Sequence, residues 1–131
     1  MNNVEKGRAG EDYVCGLLEK HDIGYTRQSY LASVDIVLHN KKTIDVKTAT
    51  HSLFPLSARR NGPYYCFHIR KDKKGEYANY YLCVIVPTGD VFVIPAIEIP
   101  ENTDQIRICY PPLKKSTTKY NKFLNAFWLL K

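Results

Sequence analysis

The first 20 residues carry their apolar side chains at helical spacing. Asn2 followed by Glu5 has the spacing of a capping box, and the pattern predicts a helix from Val4 to Lys20. At about 100° per residue, one side of this helix collects residues that are mostly small or apolar: Val4, Gly7, Glu11, Val14, Cys15 and Leu18. Because that side should pack against the rest of the protein, the carboxylate of Glu11 at its centre is unexpected.

Glu11 needs a partner if it is buried as the pattern indicates. Gly7 and Gly10 lie beside it, where the bare backbone allows a neighbouring element to approach closely. A structural interpretation gives the carboxylate an ion pair with Arg8, Lys6 or a lysine of the sheet. A functional interpretation depends on which side chains the strands bring to it.

After the helix the period changes to two, as in strands that are covered on one face. Six segments show this alternation, at residues 25–31, 34–40, 42–49, 63–70, 79–86 and 91–96. The last two are joined across PTGD at residues 87–90. The pattern alone predicts a meandering sheet.

The C-terminal third is predicted to be irregular over residues 97–116 and helical from residue 116 to the C-terminus. This helix should pack on the sheet, because its large side chains lie on one side: Tyr120, Phe123, Leu124, Phe127 and Leu130. Four aromatic residues of the segment are also candidates for a dimer contact: Tyr120, Phe123, Phe127 and Trp128.

Composition places the chain among ordinary globular proteins and predicts one domain over residues 1–131. No apolar run approaches the roughly 20 residues needed to cross a bilayer, and the N-terminus lacks a secretory signal, so an intracellular location is expected. The four cysteines are isolated in the sequence, which indicates free, mostly buried thiols. The net charge of +6 is bunched into short basic runs, which suit a phosphate backbone and solvated loop tips equally well.

Acidic residues occur on two neighbouring predicted strands. The two-residue period of a strand sends Asp45 and Lys47 to one face, and Ile44 and Val46 to the other. On the preceding strand, the same period separates Asp35 from its apolar neighbours. Each strand therefore carries acid on one face.

Whether these acids meet depends on the turn between the two strands. A three-residue turn at residues 40–42 pairs Val37 with Asp45 and puts Asp35 opposite Lys47. A two-residue turn at Asn40 and Lys41 points Asp35 away, because a slip of one residue inverts the faces. A shared site requires an odd loop or a bulge.

With that geometry, two aspartates, a lysine and the glutamate of the covering helix converge on one pocket. Three carboxylates repel one another unless a cation neutralises them, and hard oxygen ligands select magnesium or manganese. Hydrolysis of a phosphodiester requires hydroxide at an anion and a stabilised leaving alkoxide, and a metal ion assists both. Lys47 would steady the attacking water or the scissile phosphate.

These residues resemble the motif of a known enzyme superfamily. KGRAGE in the first helix, Asp35 in SVDIV, and Asp45 with Lys47 in IDVKT are similar to the PD-(D/E)XK nucleases. The first helix is most similar to archaeal Holliday junction resolvases, and DVKTA is similar to group I intron homing endonucleases. The resemblance covers about residues 4–50.

The resemblance implies a restriction-endonuclease-like α/β (α+β) fold, with a central mixed β-sheet flanked by an N-terminal and a C-terminal helix. It implies that Asp35, Asp45 and the carbonyl of Val46 bind Mg²⁺, for which Mn²⁺ would substitute. Glu11 would hold the metal through water, and Lys47 would be the catalytic lysine. The candidate DNA-binding residues are Lys6, Arg8, His51, Ser57, Arg59 and Arg60.

Three departures from the motif leave alternatives open. Val34 replaces the usual proline, Asp45 is shorter than the commoner glutamate, and residues 48–63 lack the pattern of the usual helix. The first hypothesis is a metal-dependent DNA endonuclease, either junction-resolving or of the homing type, acting as a homodimer. A DNA-binding module without activity and a basic structural protein are the alternatives.

Overall fold

One α-helix and seven β-strands form in the parts of the chain that the computed structural model describes, residues 3–28, 34–53, 63–69, 78–110 and 119–131. The helix and strands have these bounds: α1 Asn3–Lys20, β1 Tyr25–Arg27, β2 Ile36–Leu38, β3 Thr43–Ala49, β4 Tyr64–His68, β5 Tyr80–Ile85, β6 Asp90–Pro95 and β7 Gln105–Cys109. The predicted first helix and all six predicted strands are confirmed, with shorter strands at several ends. No helix among the described residues has the length and apolar character needed to cross a membrane.

The main sheet is mixed. Its strand order is β1-β2-β3-β5-β6, with β3 and β5 parallel and every other neighbouring pair antiparallel. The chain makes a long crossover between β3 and β5, as parallel pairing requires. The strand β4 lies within that crossover and does not join the main sheet. It pairs with β7 in a separate two-stranded sheet. The prediction of a simple meander is therefore wrong, and the mixed sheet implied by the motif is confirmed.

The main sheet is covered on both faces. One face packs against α1, where Val14 and Leu18 meet Ile44 and Val46 of β3 in a continuous core. The other face packs against β4 and β7, through a second core that includes Phe67. The buried side of α1 begins at Gly10, because Val4, predicted to belong to it, is 63% exposed.

Gly10 sets how closely α1 approaches β3. A Cβ atom at this position would lie 2.2 Å from Cγ2 of Thr48, whereas a Cβ atom at Gly7 would meet no atom within 4 Å. We therefore expect Gly10→Ala to lower the free energy of unfolding by about 1–3 kcal/mol, the range for overpacking. Gly7→Ala should not destabilise the protein, since alanine favours the helix.

Chemical denaturation of four variants measures this contact. Thr48→Ser removes the Cγ2 atom, so Gly10→Ala in the Thr48→Ser background should recover most of the lost stability. If the double variant is as unstable as Gly10→Ala alone, the contact with Thr48 does not explain the glycine.

Two predictions for the C-terminal third are wrong. Gln105–Cys109 lies in the segment predicted to be irregular but forms β7. The predicted C-terminal helix is replaced, over residues 119–131, by two 3-10 turns, at Asn121–Phe123 and Phe127–Leu130. Residues 111–118 lie outside the described part of the chain, so the start predicted for this helix is not described.

Asn125 separates these two turns. Its φ of 51° is left-handed, its N–H donates to the carbonyl of Val91 (2.6 Å), and its side-chain oxygen accepts from the N–H of Val91 (2.9 Å). These two bonds hold the C-terminal segment against β6 and interrupt a helix. The predicted packing on the sheet is nevertheless confirmed, because Phe123 and Phe127 are buried in the two cores.

Candidate active site

The turn between β2 and β3 brings the two aspartates together. The N–H of Leu38 donates to the carbonyl of Lys42 (2.8 Å), and the N–H of Lys41 donates to the carbonyl of Leu38 (2.9 Å). With φ of 76° at Lys41, this is a three-residue loop ending in a left-handed residue, a common hairpin geometry. The odd loop required by the sequence is therefore present, at residues 39–41 rather than 40–42.

The predicted register is wrong by two residues, although its parity is right. Val37 pairs with Thr43 and not with Asp45, and Ile36 pairs with Ile44. The paired residues end at Ile36 opposite Ile44, so Asp35 does not pair with Lys47 as predicted. A shift of two residues preserves the faces of the strands, and the carboxyl groups of Asp35 and Asp45 still meet.

Asp35 lies at a bulge next to β2. Its N–H donates to the carbonyl of Ile44 (3.0 Å), although the residue paired with Ile44 is Ile36. Asp35 and Ile36 therefore both face Ile44 of β3. Such bulges often redirect a side chain near an active site. The carboxylate of Asp35 then accepts a hydrogen bond from the N–H of Val46 (2.7 Å).

Asp45 and Lys47 share one face of β3, as predicted, and form an ion pair. Nζ of Lys47 lies 3.3 Å from Oδ2 of Asp45, and the two side chains are 29% and 21% exposed. Ile44 and Val46 point to the opposite face and are buried against α1. An accessible amine therefore lies directly beside a mostly buried carboxyl group.

The pKa of Asp45 is raised from 3.8 to about 7, and burial is the largest cause. The hydrogen bond with the carboxyl group of Asp35 and the charge of Asp35 contribute to this rise, whereas the charge of Lys47 opposes it. A carboxyl group whose ionisation is opposed in this way favours a bound proton or a nearby cation.

Glu11 joins this cluster from α1. Burial, and then the charge of Asp35, raises the pKa of Glu11, while the neighbouring guanidinium of Arg27 lowers it. Nε of Arg27 lies 3.6 Å from Oε1 of Glu11, and the same guanidinium pairs with Asp12 and donates to the carbonyl of Arg8 (3.3 Å). The charge of Asp35 therefore raises the pKa of both Glu11 and Asp45.

The predicted partner of Glu11 is wrong. The ion pair forms with Arg27 of β1, not with Arg8, Lys6 or a lysine of the sheet. Arg27 is thus the site residue that the sequence did not indicate. Its position in a short polar strand gives no signal of its own, because only the antiparallel pairing of β1 with β2 brings it to α1.

A divalent ion fits the donor set of this cluster. Among residues 3–28, 34–53, 63–69, 78–110 and 119–131, no three His, Cys, Asp or Glu side chains are grouped closely enough to hold one. Magnesium, however, usually keeps several waters and takes only one or two protein carboxylates together with substrate phosphates. Asp35 and Asp45 provide such a pair.

An open cavity of about 520 Å³ lies along β3 beside Lys47. It extends from Lys47 past His51 and is bordered by Lys6 of α1 and by His68 of β4, whereas the carboxylates of the cluster do not line it. Of the predicted DNA-binding residues, Lys6 and His51 therefore share this cavity with Lys47. The exposed Arg8 does not line this cavity. Ser57, Arg59 and Arg60 lie outside the described residues.

Comparison with known proteins gives a structural likeness. No protein-family model matches the chain, and no curated protein does. Among solved structures, the chain is similar to a bacterial homing endonuclease, I-Ssp6803I, with a TM-score of 0.77 and 14% sequence identity, over 98% of this chain and 91% of that chain. At this identity the likeness concerns the fold: the chain has a mixed α+β architecture like that of a homing endonuclease.

Proposed function

We propose that this protein is a metal-dependent DNA endonuclease of the PD-(D/E)XK type. The observation that carries the proposal is the pairing of Asp35 with Asp45, partly buried and directly beside the amine of Lys47. A structural ion pair needs one carboxylate for one lysine, and a second carboxylate beside it adds repulsion. Function explains the excess of acid better than stability does.

The carboxylates of Asp35 and Asp45 would hold Mg²⁺, or Mn²⁺ in its place, together with the carbonyl of Val46. When bound, this ion supplies Lewis acidity and lowers the pKa of a water molecule. Glu11 would orient the hydration shell, with Arg27 holding its carboxylate in place. Lys47 would donate a hydrogen bond to the attacking water or the scissile phosphate and stabilise the charge that develops there.

DNA is the substrate that best fits the surroundings of the cluster. The cavity beside Lys47 carries Lys6 and two histidines, and the chain has a net charge of +6. The fold likeness to a homing endonuclease adds support. Cleavage of both strands requires two copies of one site, so a two-fold homodimer is the natural assembly.

The motif in α1 favours branched DNA and the fold likeness favours a duplex site, so the substrate must be measured. Purified protein is incubated with four-way junction, flapped, single-stranded and linear DNA, each with Mg²⁺, Mn²⁺ or a chelator. We expect cleavage of the four-way junction with Mg²⁺ or Mn²⁺, and no cleavage in the presence of the chelator. Cleavage only within linear duplex would assign the homing-type alternative, and salt-sensitive binding without cleavage of any form would contradict the endonuclease.

A further inference from the structure

The two-stranded sheet of β4 and β7 has one apolar face and one polar face. Its strands pair from Tyr64 opposite Cys109 to His68 opposite Gln105. The apolar residues that alternate along it are buried: Tyr65, Phe67, Ile106 and Ile108. The period of two turns the remaining side chains outward, and we call these the outer ribbon face: Tyr64, Cys66, His68, Gln105, Arg107 and Cys109.

Contacts across the strands hold polar groups of the outer ribbon face in place. The guanidinium of Arg107 lies over the ring of Tyr64, with its Cζ atom 4.9 Å from the ring centre. The thiol of Cys66 donates to the side-chain oxygen of Gln105 (3.0 Å). Arg107, Gln105 and His68 are all exposed. Their polar ends are therefore oriented by neighbours while remaining accessible to a ligand, which lowers the entropic cost of binding.

The outer ribbon face continues into the candidate active site. Cys66 and His68 border the same cavity of about 520 Å³ that Lys47 borders from β3. A ligand on the ribbon can therefore extend through this cavity to Lys47. In the sequence, the basic run IRKDKK at residues 69–74 directly follows β4.

We propose that the outer ribbon face reads base edges in the major groove of duplex DNA next to the cleavage site. This inference rests on the proposed endonuclease function. A two-stranded ribbon fits the major groove, which is about 12 Å wide, and five residues span about 17 Å, or roughly five base pairs. Arg107 has the donor geometry for O6 and N7 of guanine, and Gln105 suits N6 and N7 of adenine.

A protein partner fits this face less well. Protein interfaces have a core of large apolar or aromatic side chains. The one large aromatic side chain of the outer ribbon face, Tyr64, is already covered by Arg107. A face with an arginine, a glutamine and a histidine matches the acceptors and donors of base edges better than it matches a second copy of this chain.

Selection from a random duplex pool tests the reading of bases. DNA bound by the full chain in the presence of chelator is recovered and sequenced, for wild type, Arg107→Ala and Lys122→Ala. Lys122 is a matched control, because it is an exposed cation that also lies over an aromatic ring, 5.1 Å from the centre of Phe123. We expect wild type and Lys122→Ala to enrich the same motif, and Arg107→Ala to lose its preference at one guanine.

Atomic substitution in the enriched duplex then identifies the groove. Replacing that guanine with 7-deazaguanine removes the N7 acceptor of the major groove and should weaken binding of wild type about 10-fold, without effect on Arg107→Ala. Inosine at the same position changes only the minor groove and should leave the affinity unchanged.

Two results would overturn the inference: no enriched motif with wild type, or the same motif with Arg107→Ala. If the motif is unchanged and Arg107→Ala also sediments differently from wild type, the face is assigned to contacts between copies. Cleavage by wild type with Mg²⁺ is measured in parallel. If wild type cleaves DNA but enriches no motif, only base reading by the outer ribbon face is rejected. If wild type enriches a motif but does not cleave DNA, only the endonuclease function is rejected.

Discussion

Replacing Asp45 with asparagine should reduce the rate of DNA cleavage by at least about 1,000-fold, because in the proposed mechanism Asp45 is a charged ligand of the metal ion that assists hydrolysis. The amide keeps the size of the side chain, so the fold and the neighbouring Lys47 should stay in place. Binding of DNA in chelator should remain within a few-fold of wild type, since the variant loses only a negative charge. Single-turnover cleavage and equilibrium binding measure the two effects separately.

Asp22→Asn is the matched control for this experiment, because it removes an equivalent charge just after the end of α1. It should cleave at the rate of wild type. Cleavage by Asp45→Asn at a rate near that of wild type would remove Asp45 from the active site. A parallel loss of cleavage and of DNA binding would instead indicate that the substitution disturbs the fold.

The same substitution should stabilise the protein at pH 8, by about 1–3 kcal/mol. The pKa of Asp45 is about 7 in the folded protein, against an ordinary value of 3.8. Between these values the folded state binds the proton more tightly than the unfolded state does. Stability therefore falls as the pH rises from about 4 to about 7, and asparagine avoids that loss.

Urea denaturation of wild type and Asp45→Asn at pH 4 and pH 8 measures this prediction. The difference between the two proteins should be large at pH 8 and small at pH 4. Asp104 is exposed, so the control substitution Asp104→Asn should change the free energy of unfolding by less than about 0.5 kcal/mol at either pH. A difference that does not depend on pH would show that the environment of Asp45 does not oppose its ionisation.

Addition of Mg²⁺ at pH 8 should make wild type more stable than Asp45→Asn, which reverses their order without the metal. A ligand that binds only the folded state stabilises it by an amount that grows with its concentration. Wild type should gain stability with Mg²⁺ at pH 8, whereas Asp45→Asn should gain little. If Asp45→Asn stabilises the protein without metal, and Mg²⁺ stabilises only wild type, then the charge of Asp45 costs stability and serves to bind the metal ion.

The parts of the site that follow from local periodicity could be predicted from the sequence. The alternation in TIDVKTA fixes Asp45 and Lys47 on one face of β3, and the helical spacing in α1 fixes Glu11 on the side that meets the sheet. An odd number of residues in the loop between β2 and β3 followed from the condition that Asp35 and Asp45 share one face. The exact position of this loop did not follow, because its left-handed residue is Lys41 and not a glycine, which the sequence would have marked as a turn.

The parts that depend on tertiary packing could not be predicted in the same way. Arg27 reaches Glu11 only because β1 lies at the edge of the sheet beside α1. Two 3-10 turns place Phe123 and Phe127 toward the sheet much as one helix would, so the spacing did not distinguish them. For β7, Ile106 and Ile108 do alternate with polar residues, but the prolines on both sides favoured irregular structure.

Crystals of the wild-type protein soaked in Mn²⁺ would test the central claim most directly. The anomalous difference map should contain a peak within about 2.5 Å of carboxylate oxygens of both Asp35 and Asp45. The same peak should be missing from crystals of Asp45→Asn. A wild-type map without density there, although manganese occupies other positions on the same molecule, would contradict the account.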